Sequence, residues 1–336
     1  MPEAPNDPQG ALVLSLDFEL AWGVRDTLDV RGAYRSHLEG ARDIVPRLLE
    51  AFVRSGVSAT WATVGFLFAE SREEALHFAP AERPRYADAR LDPYAAIARG
   101  EMGDGEHADP LYFAPSLVRE IASAPGQELA SHTYSHLYPM EDGVTAAAIE
   151  ADLRAARSIA AAHGHDLRSL VMPRHQVRDG DLPLVASAGF VAHRGPEPNR
   201  LNRPRAGVGG PILVRIGRML DSYVSLTGAN EAAWPRPDRH GLVNVPESRF
   251  LRPPSRALRA LEPLRVQRIV RAMRQAARSG RICHVWWHPH NMGADPERSL
   301  ANLAAILDEF ARLRDRFGFV SLSMDDVASR VRGDRG

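Results

Sequence analysis

The sequence predicts an α/β fold in which parallel strands close into a barrel. Short apolar runs rich in β-forming residues alternate with stretches of helical periodicity through most of the chain, as in parallel sheets with crossover helices. About seven strand–helix units can be counted, and polar residues follow several of the predicted strands. In a barrel those residues would meet at one mouth, at the carboxyl ends of the strands. An open doubly wound sheet is the competing architecture.

Seven segments have the composition of buried strands, and five have the periodicity of covering helices. The predicted strands span residues 11–16, 58–64, 128–131, 169–172, 190–192, 282–287 and 319–322. The predicted helices span residues 38–55, 115–124, 145–163, 182–188 and 296–316. Candidate helix stops are Gly56, Gly126, Gly164, Gly189 and Gly318. We therefore expect a single domain over residues 11–331, preceded by a disordered tail of residues 1–10.

Two segments interrupt the alternation of strands and helices. Residues 71–114 are too long and too rich in Pro and Gly for an ordinary connection, which predicts an insertion over the mouth of the barrel. Residues 194–254 are rich in Pro, Arg and Gly. They are expected to form loops with one or two irregular strands, for example at 212–216.

Composition excludes some classes of function. The formal net charge is +0, so no overall field favours nucleic acid as a partner. The single cysteine, Cys283, excludes an internal disulfide and a multi-cysteine zinc site, which agrees with a reducing compartment. The first residues lack a basic segment followed by an apolar one, so we expect no signal peptide or transmembrane helix, and a cytoplasmic location.

The first predicted strand ends in two carboxylates. Asp17 and Glu19 are two residues apart, so they point to the same face of an extended chain. Two carboxylates at the end of a buried strand cost several kcal/mol unless a cation or strong donors satisfy them. A helix cap, or an ion pair with Arg25 or Arg31, is the structural alternative for this segment alone.

Two histidines follow the third predicted strand at a spacing of four. His132 and His136, in "SHTYSH", can bring two nitrogens to about 2.0–2.1 Å from one ion. With one carboxylate they would form a two-His, one-carboxylate site with open positions, which suits Zn, Fe, Co or Mn with a bound water. A lone pair of histidines at this spacing is often structural, but the carboxylates at the end of the first strand favour a metal.

Polar residues follow two further strands in the same way. Arg174 and His175 follow the fourth predicted strand in "MPRHQ", and His288 and His290 follow another in "VWWHPHN". A metal-bound water still needs a base to accept its proton and an acid to protonate the leaving group. A carboxylate that does not bind the metal and one of these histidines can fill those roles, and Arg174 can hold that carboxylate ionised.

These motifs, in this order and together with "GFVAHRG", resemble the polysaccharide deacetylases of the NodB homology type, carbohydrate esterase family four. The likeness extends from about residue 11 to 324, and "SHTYSH" is its most specific part. The resemblance implies a distorted (β/α)-barrel with about seven strands and one divalent metal, Zn before Co, Fe, Mn or Ni. It also implies hydrolysis of N-acetyl or O-acetyl groups on sugars.

The resemblance also implies roles for individual residues. Glu19, His132 and His136 would bind the metal; Asp17 would be the general base, Arg174 its orienting partner and His288 the general acid. His175 and His290 would contact substrate or support the site. The first motif separates its acids by Phe18 instead of placing them side by side, so an exchange of roles between Asp17 and Glu19 stays open.

Two aromatic residues and one helix have weaker implications. Trp286 and Trp287 are adjacent on one strand, so at most one can face the site; core packing of both is favoured, and Trp287 is the candidate for stacking on a sugar ring. Residues 255–278 form a basic amphipathic helix, which indicates a solvated face or peripheral contact with an anionic membrane.

The predicted function is therefore a metal-dependent deacetylase that acts on an N-acetylated sugar, oligosaccharide or lipid-linked glycan. Such a reaction belongs to the assembly of a surface polysaccharide or glycolipid. Removal of formyl from a lipid-linked aminosugar and metal-free, allantoinase-like amide hydrolysis are alternatives on the same fold. A carbohydrate-binding protein without turnover is the alternative from another class.

Overall fold

The computed structural model describes residues 9–197, 217, 219–223, 227–255 and 258–333. Nine strands in this part of the chain form one sheet, in which all paired strands are parallel. They are β1 (Ala11–Phe18), β2 (Ala59–Thr63), β3 (Gln127–Ser131), β4 (Ser169–Leu170), β5 (Ala192–His193), β6 (Val243–Asn244), β7 (Arg249–Phe250), β8 (Ile282–Trp287) and β9 (Val320–Leu322). Each of the seven predicted strands overlaps one of them.

The sheet has the curvature of a distorted barrel, as predicted. Its strand order is β6-β5-β4-β3-β2-β1-β8-β7. Strand β1 pairs with β8 along Ala11 to Leu16, so β9 and β2 share its other edge: β9 borders its first residues and β2 its last. All eight residues of β1 are buried, because the strand lies at the centre of the sheet.

The two ends of the strand order are close together. Strands β6 and β7 are joined by residues 245–248, and this short segment bonds to both neighbouring strands. Val245 N donates to His193 O (2.9 Å) and Ser248 N donates to His284 O (2.8 Å). These strands lie within the segment that the sequence predicted to be irregular; its predicted strand at 212–216 lies outside the described residues.

Helices cover the outside of the sheet. Among the described residues they are α1 (Arg35–Ser55), α2 (Arg72–His77), α3 (Pro93–Ala98), α4 (Pro115–Ser123), α5 (Ala146–Ala162), α6 (Leu182–Ser187), α7 (Glu262–Ser279), α8 (Pro289–Met292), α9 (Pro296–Phe317) and α10 (Met324–Arg332). The five predicted helices match α1, α4, α5, α6 and α9 to within three residues at each end. Helix α1 ends at Gly56, whose φ of +63° is available to glycine without the strain of a Cβ.

Residues 71–114 contain two short helices, α2 and α3, and contact the loops that follow β1 and β3. Ala21 N donates to Leu111 O (3.1 Å), and Tyr138 N donates to the hydroxyl of Tyr86 (3.0 Å). This segment therefore lies at the end of the sheet where the strands have their carboxyl ends.

The basic helix predicted at 255–278 corresponds to α7, which begins at Glu262 after a 3-10 turn. Not all of its arginines face solvent, since Arg265 and Arg268 are buried and Arg268 contacts Asp221. Arg274 binds Glu309 (2.6 Å). Peripheral membrane contact stays a prediction. Within the described ranges, no helix combines the length and the apolar character needed to cross a bilayer.

Candidate active site

Two acids stand at the carboxyl end of β1, as predicted. Asp17 lies in the strand and Glu19 directly follows it, and both are at least 96% buried. Burial alone would raise the pKa of each carboxyl group, but nearby cationic and hydrogen-bonding groups hold both pKa values below the usual range. Both groups are therefore ionised at neutral pH.

Four imidazoles surround the carboxylate of Glu19. On the Oε2 side, the Nε2 atoms of His136 and His132 lie at 3.0 and 3.3 Å. On the Oε1 side, the Nε2 atoms of His290 and His288 lie at 3.0 and 3.6 Å. The histidines that follow β3 thus face one oxygen of Glu19, and those that follow β8 face the other.

Each of these imidazoles is held from behind through Nδ1. The partners are Val171 O for His132 (2.8 Å), the Tyr138 hydroxyl for His136 (3.0 Å), the Tyr34 hydroxyl for His290 (2.8 Å) and Asn291 Oδ1 for His288 (3.1 Å). A backbone carbonyl can only accept, so Nδ1 of His132 carries the hydrogen and its Nε2 presents a lone pair. That lone pair faces a carboxylate oxygen, an arrangement that a shared cation would stabilise.

The residues present fit a divalent metal. One ligand atom from each of Glu19, His132 and His136 lies within 4.8 Å of the others, and all three residues are buried. Burial lowers the pKa of His136 to about 4, although Glu19 acts in the opposite direction. A neutral imidazole is the form that binds metal. Support through Nδ1 from a carbonyl or hydroxyl is the usual arrangement behind histidine ligands.

The orienting partner of Asp17 is Arg194, which follows β5. Its two terminal nitrogens bind the two carboxylate oxygens of Asp17 at 2.7 and 2.8 Å, and the guanidinium also donates to Ser15 Oγ (2.8 Å). The side chain of Arg194 is fully buried. A forked ion pair of this kind fixes both the charge and the rotamer of the carboxylate.

Arg174, predicted for that role, lies elsewhere. Its guanidinium contacts Asp26 and stacks over the ring of Tyr138 (4.0 Å to the centroid). Tyr138 in turn bonds to Nδ1 of His136. The predicted pairing of Arg174 with Asp17 is therefore wrong, and Arg174 touches the site only through the tyrosine that holds a candidate ligand.

The loop between β3 and α5 that carries the two histidines is held by a buried acid. Asp152 of α5 accepts from Tyr134 N (2.7 Å) and Ser135 N (3.2 Å), and it contacts the Ser135 hydroxyl. Thr133 N donates to Ser131 Oγ (3.0 Å). The backbone amides of Thr133 and Tyr134 therefore both have partners within this part of the chain.

Backbone strain is concentrated at this mouth. Six non-glycine residues in the described ranges have positive φ, and five of them follow strands of the site: Leu20, Thr133, His136, Arg174 and His175. Such conformations cost about 1–3 kcal/mol each and are retained where the surroundings require them. His136 has a φ of +57°, and its imidazole ring lies against the carboxylate of Glu19.

His288 lies between the two carboxylates. Its Nε2 is 3.7 Å from Asp17 Oδ2 and 3.6 Å from Glu19 Oε1. Its side chain is 22% exposed, against 4% or less for the other three imidazoles around Glu19. Burial lowers the pKa of His288, while Glu19 and Asp17 oppose that shift. It is the imidazole of this cluster that a substrate can reach.

The predicted substrate-contacting residues divide into two groups. Trp287 is fully buried in the hydrophobic core, beside Phe52, so the assignment of Trp287 to the site is wrong. Trp286 points to the opposite face, where its ring packs against His175 and His288, with centroids 4.5 and 5.3 Å away. Alternation along β8 therefore places Trp286 at the site.

His175 and His290 also lie at the mouth. His175 Nδ1 is 3.4 Å from Glu247 Oε2, and its ring packs on Trp286. His290 is buried against Glu19, so substrate would reach it only past His288 or Glu19. Contact of either residue with substrate stays a prediction.

Sequence reasoning missed two functional groups. Arg194 stands two residues after a predicted strand in "GFVAHRG", and that placement was the available signal. Tyr34, which holds His290, precedes α1 and carries no recognisable motif.

The fold is similar to that of several solved structures. A candidate polysaccharide deacetylase from Mycobacterium smegmatis matches with a TM-score of 0.62 and 16% identity, over 99% of this chain and 94% of that chain. A second candidate polysaccharide deacetylase, from Pseudomonas aeruginosa PAO1, matches with a TM-score of 0.55 and 15% identity, over 99% of this chain and 94% of that chain. Puue allantoinase matches with a TM-score of 0.54 and 14% identity, over 99% of this chain and 93% of that chain.

No family model and no curated protein matches the sequence. At these identities the structural likeness concerns the fold. It agrees with the fold that the sequence motifs implied. The chain therefore has the distorted (β/α)-barrel fold of the polysaccharide deacetylases.

Proposed function

We propose that this protein is a metal-dependent hydrolase that removes the N-acetyl group of a sugar. One observation carries the proposal: Glu19, His132 and His136 converge as a metal-binding set, beside an ionised carboxylate, Asp17, and an accessible imidazole, His288. A binding protein would need no such combination. Deacetylases of the same fold support the reaction class.

The cation would act as a Lewis acid towards the acyl carbonyl and would lower the pKa of the attacking water. Asp17 accepts the proton of that water. The pKa of Asp17 is low because of Arg194, His132 and His288, so Asp17 is a weak base. It can accept a proton only from a water molecule whose own pKa is lowered. Arg194 keeps Asp17 ionised and aimed at the mouth.

His288 protonates the nitrogen that leaves. Burial lowers its pKa, so the imidazole is neutral at pH 7 before the reaction. The proton that it delivers is the one taken from water, passed from Asp17 Oδ2 across a gap of 3.7 Å that a modest movement can close. The proton count therefore balances without an external acid.

The substrate is an acetylated aminosugar in an oligosaccharide or a lipid-linked glycan, within the assembly of a surface polysaccharide or glycolipid in the cytoplasm. The ring of Trp286 lies beside His288 and is 9% exposed, because Phe250 and the guanidinium of Arg194 pack against it, so a sugar would meet only the small part that stays accessible. An O-acetyl or a formyl group would meet the same residues. An N-formyl substrate would release the same amine as an N-acetyl substrate, whereas an O-acetyl substrate would release an alcohol, whose departure depends less on a general acid.

Metal analysis combined with an acyl-release assay tests this function. We expect purified protein to contain Zn or a related divalent ion and to release acetate from N-acetylated oligosaccharides or nucleotide or lipid-linked sugars. His132→Ala and His136→Ala should lose the ion held by Glu19 and these two histidines, and with it the activity, while keeping the circular dichroism spectrum. His163→Ala is the matched control, because His163 faces a single carboxylate, Glu74 (2.9 Å). A metal-free, active His132→Ala/His136→Ala double variant would overturn the proposal.

Hydrolysis of a ring amide is the second candidate function. It is favoured by the likeness to Puue allantoinase, whose TM-score of 0.54 is close to that of one deacetylase. This candidate predicts turnover of cyclic amides such as allantoin after removal of metal. Activity on such an amide that persists in the presence of a chelator, with no acetate release from any sugar, would favour it.

A further inference from the structure

We propose that Glu19, His288 and His290 form a second cation site, with Glu19 as a bridge between two ions. The site lies on the Oε1 side of Glu19, opposite His132 and His136. Occupation of this second site withdraws His288 from proton transfer, so an excess of metal inhibits the enzyme. This inhibitory consequence rests on the proposed function, whereas the site itself does not.

The ligand atoms are assembled in the way that a metal site requires. One atom from each of Glu19, His288 and His290 lies within 4.8 Å of the others. Nε2 of His290 is 3.0 Å from Oε1, and Nε2 of His288 is 3.6 Å from the same oxygen. Ligands of one ion, each about 2.0–2.1 Å away, are separated by comparable distances.

His290 is held as a ligand is held. The Tyr34 hydroxyl lies 2.8 Å from Nδ1. Asn291 Nδ2, which can only donate, lies 3.3 Å from the same atom, so a hydrogen on Nδ1 requires this amide to give up its longer contact. The hydroxyl can accept from Nδ1–H, which leaves a lone pair on Nε2. His290 itself is 4% exposed.

Two ions account for the arrangement better than one. The two pairs of imidazoles face different oxygens of Glu19, so the two nitrogens of one pair would have to move to the side of the other pair for all four to share a single ion. A carboxylate that binds one ion through each oxygen keeps both pairs in place. Ions bridged in this way lie about 3.5–4 Å apart in two-metal enzymes.

The two sites should differ in affinity. Asp17 is already neutralised by Arg194, so of the two carboxylates that end β1, Glu19 is the one that offers unpaired negative charge to the ions. Two divalent ions around one such charge repel each other. His288 is also the most exposed of the four imidazoles and the farthest from Glu19. The site of His132 and His136 therefore fills first and the site of His288 and His290 second.

Zinc titration of the metal-free full-length protein tests the site itself. Equilibrium dialysis with elemental analysis should find two ions per chain, the second bound at least tenfold more weakly. His290→Gln should bind one ion, and His136→Gln should keep one. Tyr34→Phe should retain both ions but weaken the second by about 10–100-fold, as expected when a residue behind a ligand is removed. His163→Ala should behave as the wild type and reports adventitious binding.

A wild type that saturates at one ion, or a His290→Gln variant that still binds two, would overturn the second site. Loss of all metal in His290→Gln would also overturn it, since His290 would then belong to a single ion. If His136→Gln leaves the wild-type stoichiometry unchanged, the first site fails instead, and with it the proposed function. These outcomes do not depend on knowing the substrate.

The inhibitory role is tested with acetate release as a function of free zinc. The wild-type rate should rise with the first ion and fall by at least tenfold over the concentrations at which the second ion binds. In Tyr34→Phe the decrease in rate should occur at a higher zinc concentration, in proportion to the increase in the dissociation constant of the second ion. A rate that does not fall as the second ion binds would show that His288 is not needed for turnover and would overturn the inhibitory role.

Discussion

Two buried carboxyl groups near the mouth of the barrel behave differently. Glu19 is 4% exposed and Asp152 is 1% exposed, so desolvation penalises the charge of both. Glu19 faces four imidazoles, and its pKa lies well below the ordinary value. Asp152 accepts only from amides and a hydroxyl, and burial raises its pKa to about 6.

The difference shows that the surroundings, and not burial, decide what each acid does. Neutral donors hold Asp152 in place, and Asp152 in turn shapes the loop that carries His132 and His136. The imidazoles around Glu19 have their other nitrogens bound to the protein, which leaves Nε2 directed at the carboxylate. One acid supports the backbone, and the other is arranged to share a cation.

Replacing Glu19 should have the largest effect. Glu19→Gln removes the charge and keeps the shape, so the imidazoles lose the anion that offsets a cation. We expect loss of bound metal and a fall in kcat/KM of at least about 10³-fold, because both the Lewis acid and the ligand geometry disappear. Metal content and acetate release measure the two effects. A metal-loaded Glu19→Gln variant would remove the contrast with Asp152.

Replacing Asp17 should separate the base from the ligand. Asp17→Asn should retain the metal and lower kcat by about 10²–10⁴-fold, the usual contribution of a general base. The exchange of roles with Glu19, left open by the sequence, makes the opposite prediction: Asp17→Asn would lose the metal. Elemental analysis of this variant beside Glu19→Gln distinguishes the two assignments.

The adjacent tryptophans should respond in opposite ways. Trp287→Ala should lower the free energy of unfolding by about 3–5 kcal/mol, since the ring fills the core. Trp286→Ala should cost less stability and should raise KM for a sugar substrate, because this ring faces His288. Denaturant unfolding and initial rates of the two variants are the measurements. Equal losses of stability with an unchanged KM in both variants would contradict the assignment.

Glu19, whose pKa is lowered, should lose its stabilising contribution as the pH falls, and Asp152 should show the opposite dependence. Its pKa is raised from about 4 to about 6 on folding, so its contribution to stability is present below pH 4 and is lost as the pH rises through 6. Between pH 4 and 7 the wild type should lose about 2 kcal/mol relative to Asp152→Asn, which cannot ionise. Denaturant unfolding of both proteins across this range checks the slope; parallel curves would refute the raised pKa.

Periodicity located most of the fold. Strand β8 was predicted with its observed bounds, and the seven predicted strands all exist, because each carries its own apolar run. Strands β6 and β7 were not predicted individually, since two-residue strands leave no periodic signal. Helix α10 was missed as well, although its capping box at Ser323 and Asp326 is a readable signal.

Site residues that lie at the end of a single strand were predicted from the sequence. Pairings between residues from different strands across the barrel were missed. Glu19, directly after β1, and the histidines after β3 do converge. Arg194 instead of Arg174 pairs with Asp17, because the pairing depends on how loops after β4 and β5 are directed. Which tryptophan of β8 faces inward depends on the register of the strand, which local sequence does not determine.

Anomalous X-ray scattering at the zinc edge, from crystals grown with one equivalent of zinc, tests the central claim most directly. We expect an anomalous peak about 2.0–2.2 Å from Glu19 Oε2 and from the Nε2 atoms of His132 and His136. A zinc peak elsewhere in the molecule, with those three atoms free of metal, would contradict it.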